Sequence, residues 1–170
     1  MTKFEVTLKQ LRENKACVSG YNKVVSTLKG IEYDCNRETY IRFKHDAPIS
    51  LVSILESNGI EDTLWCLRVN DAEWARDSRL FAVWCARQVQ HLMNDERSIN
   101  ALDVAEKFAN GEATQDDLVA ARDAAWDAAR VDAWDAARVA ALDAARVAAR
   151  VDQKQMFIKM CNGEAPWQVK

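Results

Sequence analysis

Residues that interrupt a helix are scarce in this chain. Its 170 residues include five glycines and two prolines, and most of these fall where a helix would end. Between them the apolar residues recur at intervals of three and four rather than two, which is the helical period. The spacing therefore predicts an all-α fold, a multi-helix bundle large enough to bury a core as one domain over 1–170.

Long apolar runs are also missing. No window approaches the roughly 18 apolar residues that a membrane-spanning helix needs, and the opening MTKFEVTLKQLREN lacks the apolar run of a secretion signal. The net charge of −3 and the pI near 5.5 provide no basic footprint for nucleic acid or for an anionic membrane. We therefore expect a cytoplasmic protein with no membrane partner and no sequence-specific binding to nucleic acid.

Motifs for catalysis or ligand binding are absent as well. The two histidines, His45 and His91, belong to no HxxxH, HExxH or Cys/His pattern, and the phosphate loops GxGxxG and GxxxxGK do not occur. We expect His91 to pack partly buried on an apolar helix face, and His45 to lie at a helix C-terminus. The sequence therefore predicts that the protein is not an enzyme and has no catalytic residue, metal site or cofactor.

Cysteine is present in an odd number and never as a CxxC pair. Scattered thiols in a reducing compartment are most simply buried side chains, so we expect no disulfide framework. The five are Cys17, Cys35, Cys66, Cys85 and Cys161.

Capping residues and breakers predict a series of helices before residue 114. Thr7 and Gln10 have capping-box spacing, and Pro48 suits the first turn of a helix because a proline there needs no donor. Gly30 ends the second helix and Gly59 follows the fourth, whereas Asn110 and Gly111 end the last helix of the series with a left-handed turn. The predicted helices cover 7–14, 19–28, 36–45, 46–57, 60–69, 70–93 and 99–109.

One long Ala-rich helix is predicted for the C-terminal part. Thr114 to Asp117 caps a stretch with no glycine or proline before Gly163. A helix of about 45 residues is roughly 65–70 Å long, whereas a compact chain of this size has a diameter near 40 Å by its expected radius of gyration of about 15 Å. Such a helix must protrude, bend, break or pack along a partner. The domain would thus divide into short helices (1–70), a central helix pair (71–111), the long helix (114–161) and a tail (162–170).

A four-residue repeat, Ala-Ala-[Arg/Trp/Leu]-[Asp/Val], runs through residues 120–151 with one interruption, at Asp132. Four residues turn a helix by about 400°, so each alanine row drifts by about 40° per repeat. A heptad seam would stay in place, so a long two-stranded coiled coil is disfavoured. A helix crossed closely by several neighbours fits better. Codon slippage is an alternative origin of the repeat, and it would still leave a helix.

Two tryptophans of the repeat are candidates for partner contact. Trp126 and Trp134 are eight residues apart, hence about 80° of helix rotation, so they cannot both face one neighbour squarely. At least one of them is available for a partner or for an aromatic-rimmed pocket. The candidate binding residues are Trp126, Arg130, Trp134 and Arg138, with Trp167 in the tail.

Several segments resemble known proteins. The stretches RLFAVWCARQVQHLM and INALDVAEKFANGEATQDDLVAARDAAWDAAR, within 79–130, are similar to a family of Ala-rich helical proteins of bacteria and their phages. That family is described as immunity proteins of toxin systems. The segments LKQLRENKACVSGYNKVV and ISLVSILESNGIEDTLWCLRV are similar to small accessory proteins of phages and prophages. The resemblance implies an all-α architecture and a phage or mobile-element origin, and it carries over no catalytic residue.

The leading functional hypothesis is a non-enzymatic, phage-type helical protein that neutralises or modulates a bacterial host protein. It would act in the cytoplasm of the host, through one face of the long helix and its neighbours. A first alternative is a helical pocket that sequesters a nucleotide-like molecule, with arginine on phosphate and tryptophan stacked on a base. A second alternative is a structural or self-assembling phage protein, a homo-oligomer joined along the alanine band.

Overall fold

The predicted all-α class is confirmed by a computed structural model, which describes residues 4–131 and 150–169. Helices dominate the described part, and two short strands form a small antiparallel sheet in which Glu5 pairs with Ser50 and Val6 with Ile49. The strands are β1 (Glu5–Val6) and β2 (Ile49–Ser50). The helices are α1 (Leu8–Glu13), α2 (Val18–Lys29), α3 (Leu51–Asn58), α4 (Ile60–Cys66), α5 (Asp71–Gln88), α6 (Glu96–Ala109), α7 (Gln115–Val131) and α8 (150–162), with short 3-10 helices at Leu67–Asn70 and Gln90–Leu92.

The chain divides into two compact units. The first runs to Trp74 and includes Cys161–Glu164, and the second contains the described residues of Ala75–Met160 and those from Ala165 onward. A domain can contain more than one compact region, provided that the regions fold together. The predicted organisation as a single domain with four subdivisions therefore stays a prediction.

The first unit is built on helices whose ends the sequence specifies. Thr7 and Gln10 form the predicted capping box, in which the Gln10 N–H donates to Thr7 Oγ1 (3.2 Å) and the Thr7 N–H donates to Gln10 Oε1 (2.8 Å). Gly30 ends α2 in the left-handed conformation (φ 62°), as its position predicted. The core beneath these helices includes Phe4 and Trp74, whose ring centroids are 5.2 Å apart.

The helix predicted for 36–45 is wrong, because residues 31–48 contain no helix. A buried amide on α2 holds this segment in a non-helical path: Asn22 Nδ2 donates to Thr39 O (3.0 Å), and the Ile41 N–H donates to Asn22 Oδ1 (2.9 Å). Tyr40 adds a hydrogen bond from its hydroxyl to Ala16 O (2.6 Å). These tertiary bonds use backbone groups that a helix would need, so they override the local signal.

The start predicted for the next helix is also wrong. Pro48 precedes β2, and Ser50 rather than Asp46 caps α3 by accepting a hydrogen bond from the Ser53 N–H (3.1 Å). The backbone of Leu51 donates to Phe4 O (3.0 Å), which extends the pairing of β1 and β2. The helix ends before Gly59, as predicted.

The second unit packs α6 against α7 and buries one face of α5. Gly111 turns the chain with φ 79°, and Thr114 and Asp117 form a reciprocal cap for α7, as predicted: the Asp117 N–H donates to Thr114 Oγ1, and the Thr114 N–H donates to Asp117 Oδ2. The rings of Phe81 and Phe157 meet edge to face at 5.6 Å in the core of this unit.

The long Ala-rich helix predicted over 114–161 is observed at its two ends. α7 covers Gln115–Val131 and α8 covers 150–162, and the chain leaves the helical conformation at Gly163 (φ 78°). Residues 132–149, which carry most of the repeat, lie outside the described residues. The continuity of the helix therefore stays a prediction.

Candidate partner-binding surface

The hairpin of α6 and α7 is made of helices that bury little of their apolar surface. None of the side chains of α6 is buried, and Ala121 is the buried residue among the described side chains of α7. A surface helix in a globular protein usually buries a continuous apolar stripe. Apart from Ala121, the described apolar side chains of both helices stay half-exposed or exposed, so the hairpin retains apolar surface that the described residues of its unit leave uncovered.

An apolar cleft runs between the two helices. Its volume is about 260 Å³, and the polar residues that line it are Gln115 and Arg122. Val119, which lines this cleft, is 37% exposed. The remaining lining residues are small or apolar: Ala101, Leu102, Ala105, Leu118 and Ala125.

Trp126 is the largest exposed apolar side chain of the hairpin, with 71% of its surface accessible. It follows Val119 by seven residues and Arg122 by four, so the three share one face of α7. An indole ring left this open gains little burial among the described residues of its unit, and such a ring offers a large rigid area for contact. We call Leu102, Leu118, Val119, Arg122 and Trp126 the hairpin face.

The structure places two of the five predicted binding residues with their side chains. Trp126 lies on the hairpin face, and Trp167 lines a different cavity of the same unit. Arg130 lies one turn after Trp126 on the backbone of α7, but its side chain is not described, and Trp134 and Arg138 lie outside the described residues. The structure therefore does not bring Trp126 and Trp167 into one site.

The cavity at Trp167 has a volume of about 270 Å³ and is lined by a second indole, Trp84, together with Pro166. On its polar side Arg87 donates to Asp103 Oδ1 (2.9 Å) and to Glu106 Oε2 (2.6 Å). These hydrogen bonds raise the pKa of Arg87 above its usual value. Neither this cavity nor Arg87 was predicted, although Leu80, Val83, Trp84 and Arg87 have the spacing of one helix face.

A cavity of about 260 Å³ in the first unit was not predicted. Its floor is apolar and includes Leu11 and Ile54, and its rim carries Asp62 and Asn58. Asn58 Nδ2 donates to both Gly20 O and Asp62 Oδ2 (2.8 Å each), so the amide ties α3 to α2 and α4. The signal in the sequence was weak, because the lining residues come from four separate helices.

Predictions for histidine and cysteine fail at several positions. His91 is exposed rather than partly buried, and His45 lies in the non-helical segment, stacked on Phe43 with ring centroids 5.8 Å apart. Cys17 and Cys35 are exposed, which contradicts the expectation of buried thiols, whereas Cys66 and Cys161 are buried as expected and Cys85 is partly so. Exposure follows from position: Cys17 caps α2 and Cys35 lies in a turn of the irregular segment.

Two general features of the described residues bear on ligands. No helix among them is both long and apolar enough to cross a membrane. Within 4–131 and 150–169, no three side chains of His, Cys, Asp or Glu form a group that could hold a metal ion.

Comparisons with family models, with curated proteins and with solved structures find no match to this chain. The resemblance to immunity proteins therefore stays a prediction. A function can therefore be inferred only from the sequence and from surface features such as the hairpin face and the cavities.

Proposed function

We propose that the chain is a non-enzymatic helical binding protein that neutralises or modulates a bacterial host protein. The contact surface is the hairpin face, with Trp126 as its anchor. The proposal combines this surface with the resemblance to immunity proteins of bacteria and phages, and it assigns no chemical step to the chain.

The observation that carries the proposal is the exposed apolar surface of the α6–α7 hairpin. Trp126 is 71% exposed, and it follows Arg122 by one turn of α7. Arg122 lines an apolar cleft that the side chains of α6 and α7 leave open. Tryptophan and arginine are enriched among the residues that dominate binding energy at interfaces, and such anchors fill pockets on the partner. Arg122 beside Trp126 supplies the charged rim that typically surrounds an apolar contact.

The test compares the wild-type chain with Trp126→Ala. Because the indole is exposed, its removal should leave the fold intact, and far-ultraviolet circular dichroism checks this. The immobilised full-length chain is incubated with bacterial lysate, and captured proteins are quantified by mass spectrometry. A protein captured by the wild type is then purified and titrated against both chains by calorimetry, where Trp126→Ala should weaken binding by about tenfold or more.

Val169→Ala is the matched control, because Val169 is also apolar and 63% exposed but lies outside the hairpin. This variant should bind the purified partner as the wild type does. Equal affinity of the wild type and Trp126→Ala for every captured protein would contradict the proposal.

Light scattering separates a host partner from a second copy of the chain. If the wild type is an oligomer and Trp126→Ala is a monomer, the hairpin face is a self-association surface. That result would replace the host-protein proposal with the self-assembling alternative.

A second candidate function is the sequestration of a small planar molecule such as a nucleobase or nucleotide. It is favoured by the cavity at Trp84 and Trp167, which is lined by two indole rings. Arg87 is already paired with two carboxylates, so a phosphate would have to displace one of them. A panel of nucleosides and nucleotides tests this candidate, because a ligand specific for the native state raises the melting temperature; no shift with any of them would contradict it.

A further inference from the structure

A second surface, in the first unit, has a local charge opposite to that of the whole chain. An open groove of about 550 Å³ lies between α1 and the segment 41–46. Its floor includes Leu8, Tyr21 and Ile41, which are buried. We call it the basic groove because of the side chains along it: Lys9 and Arg12 from α1, Arg42, Lys44 and His45 from the segment, and Asp46 at its end.

Four permanent cations thus line one groove of a chain whose net charge is −3. Asp46 also lines the groove, and Glu13 Oε1 lies 3.8 Å from Lys9 Nζ with both side chains well exposed. Ion pairs this exposed are weak, so Lys9 stays available to another carboxylate. Arg12 is held in place, because its guanidinium lies 3.6 Å from the centroid of the Tyr40 ring. The groove therefore favours an anionic occupant.

The wall formed by residues 42–47 has an unpaired backbone. Among the described residues, no hydrogen bond involves the backbone N–H or C=O groups of these six positions. Burial alternates along the segment, with Ile41 buried, Phe43 and His45 half-buried, and Arg42 and Lys44 exposed between them. Alternation with a period of two is typical of extended backbone, and a bend at Ala47 followed by Pro48 separates this segment from β2. A free strand edge is a template for another extended chain.

The aromatic rings near the groove are already covered by other groups of the chain. His45 stacks on Phe43 with an interplanar angle of 12°, and Lys29 Nζ lies 5.8 Å from the centroid of the Phe43 ring. Arg12 covers Tyr40. Single-stranded nucleic acid gains much of its affinity by stacking bases on such rings, whereas a peptide strand does not need them. The groove therefore fits a peptide better than it fits a nucleic acid.

We propose that the basic groove binds an extended acidic segment of a partner protein, which pairs with the backbone of 42–47 and places its carboxylates on Lys9, Arg12, Arg42 and Lys44. Main-chain hydrogen bonds supply affinity in this mode, and alternate side chains supply specificity. The basic groove and the hairpin face consist of different residues, so an experiment that refutes one proposal leaves the other unaffected.

The test uses a fluorescein-labelled synthetic peptide of alternating glutamate and valine, and it measures anisotropy with the full-length chain. The double variant Arg42→Glu/Lys44→Glu reverses two exposed charges, and its fold is checked by circular dichroism. The matched control, Lys154→Glu/Lys159→Glu, makes the same charge change on the exposed side of α8. We expect saturable binding by the wild type and the control, affinity lowered about tenfold or more in the groove variant, and weaker binding as salt increases.

Two further probes decide between modes of binding. The same peptide with alternate backbone nitrogens methylated lacks the donors for strand pairing and should bind much more weakly; equal binding would overturn the strand-addition geometry. A fluorescent oligothymidine replaces the peptide in the second probe. The groove would be assigned to nucleic acid if the wild type bound the oligonucleotide but not the acidic peptide, and if Arg42→Glu/Lys44→Glu lost the oligonucleotide binding. Absence of saturable peptide binding, or equal binding by the groove variant, would overturn the proposal.

Discussion

Replacement of Asn22 by alanine tests why residues 31–48 do not form the helix that their sequence favours. The Asn22 side chain is 1% exposed and makes two hydrogen bonds to the segment, one through each atom of its amide. Alanine removes both bonds and leaves α2 otherwise unchanged, because alanine is the best helix former.

The two lost bonds should differ in cost. Thr39 is exposed, so its carbonyl can accept a hydrogen bond from water, and the loss is that of an ordinary bond, about 0.5–1.5 kcal/mol. The Ile41 N–H is buried, so it would lose its acceptor with no water to replace it, which costs about 1–3 kcal/mol. We therefore expect Asn22→Ala to lower the free energy of unfolding by about 1.5–4.5 kcal/mol.

Urea denaturation followed by far-ultraviolet circular dichroism measures this change. Asn36→Ala is the control in the same segment, since the Asn36 side chain is exposed and its replacement should change stability by about 0.5 kcal/mol or less. Hydrogen exchange at the Ile41 N–H should also accelerate in Asn22→Ala. A loss of stability no larger than that of the control would refute the idea that Asn22 holds the segment.

Three further results are expected from the structure. Thr114→Ala should destabilise the protein by about 1 kcal/mol, because it removes the oxygen that accepts from the Asp117 N–H at the start of α7, and thermal unfolding measures the loss. Burial raises the pKa values of the Cys66 and Cys161 thiols to about 12. At pH 8 a thiol reagent should therefore label the exposed Cys17 and Cys35 of the native protein well before it labels Cys66 and Cys161. Equal labelling rates would argue against the burial of Cys66 and Cys161. Hydrogen bonds from Arg97 lower the pKa of Asp95 to about 2, below its unfolded value near 4. The wild type should therefore be more stable than Asp95→Asn above about pH 4, and this advantage should disappear as the pH falls through about 2. A difference in melting temperature that stays constant across that range would contradict this expectation.

The accuracy of the sequence predictions follows the range of the interactions that decide each element. The capping boxes at Thr7 and Thr114 and the glycine that ends α2 act within four residues, and the structure confirms all three. The helix predicted over 36–45 failed because its competitor, Asn22, lies 17 and 19 residues before its two partners. Local capping signals contain no information about a bond at that separation.

The candidate surfaces also differ in how far the sequence alone could predict them. Trp126 could be singled out from the sequence, since the repeat places a bulky ring at a position where neighbouring rows are alanine and aspartate. The cleft beside it could not, because its walls come from α6 and α7 and its openness depends on how closely the two helices approach. The cavity at Trp84 and Trp167 combines residues more than 80 positions apart in the chain.

The basic groove shows that the net charge of this chain does not describe the charge of each of its surfaces. Charges in salt interact over a Debye length of about 8 Å at physiological ionic strength, so an approaching ligand responds to the groups lining a groove rather than to the total of −3. Lys9 and Arg12 reach the groove from α1, and Arg42 and Lys44 reach it some 30 residues later. The hydrogen bonds of Asn22 hold the second pair beside the first, since a helix over 36–45 would have turned Arg42 and Lys44 away from each other by about 200°. The helix predicted over 36–45 would therefore have removed the basic groove, and Asn22→Ala should weaken binding of the acidic peptide as well as stability.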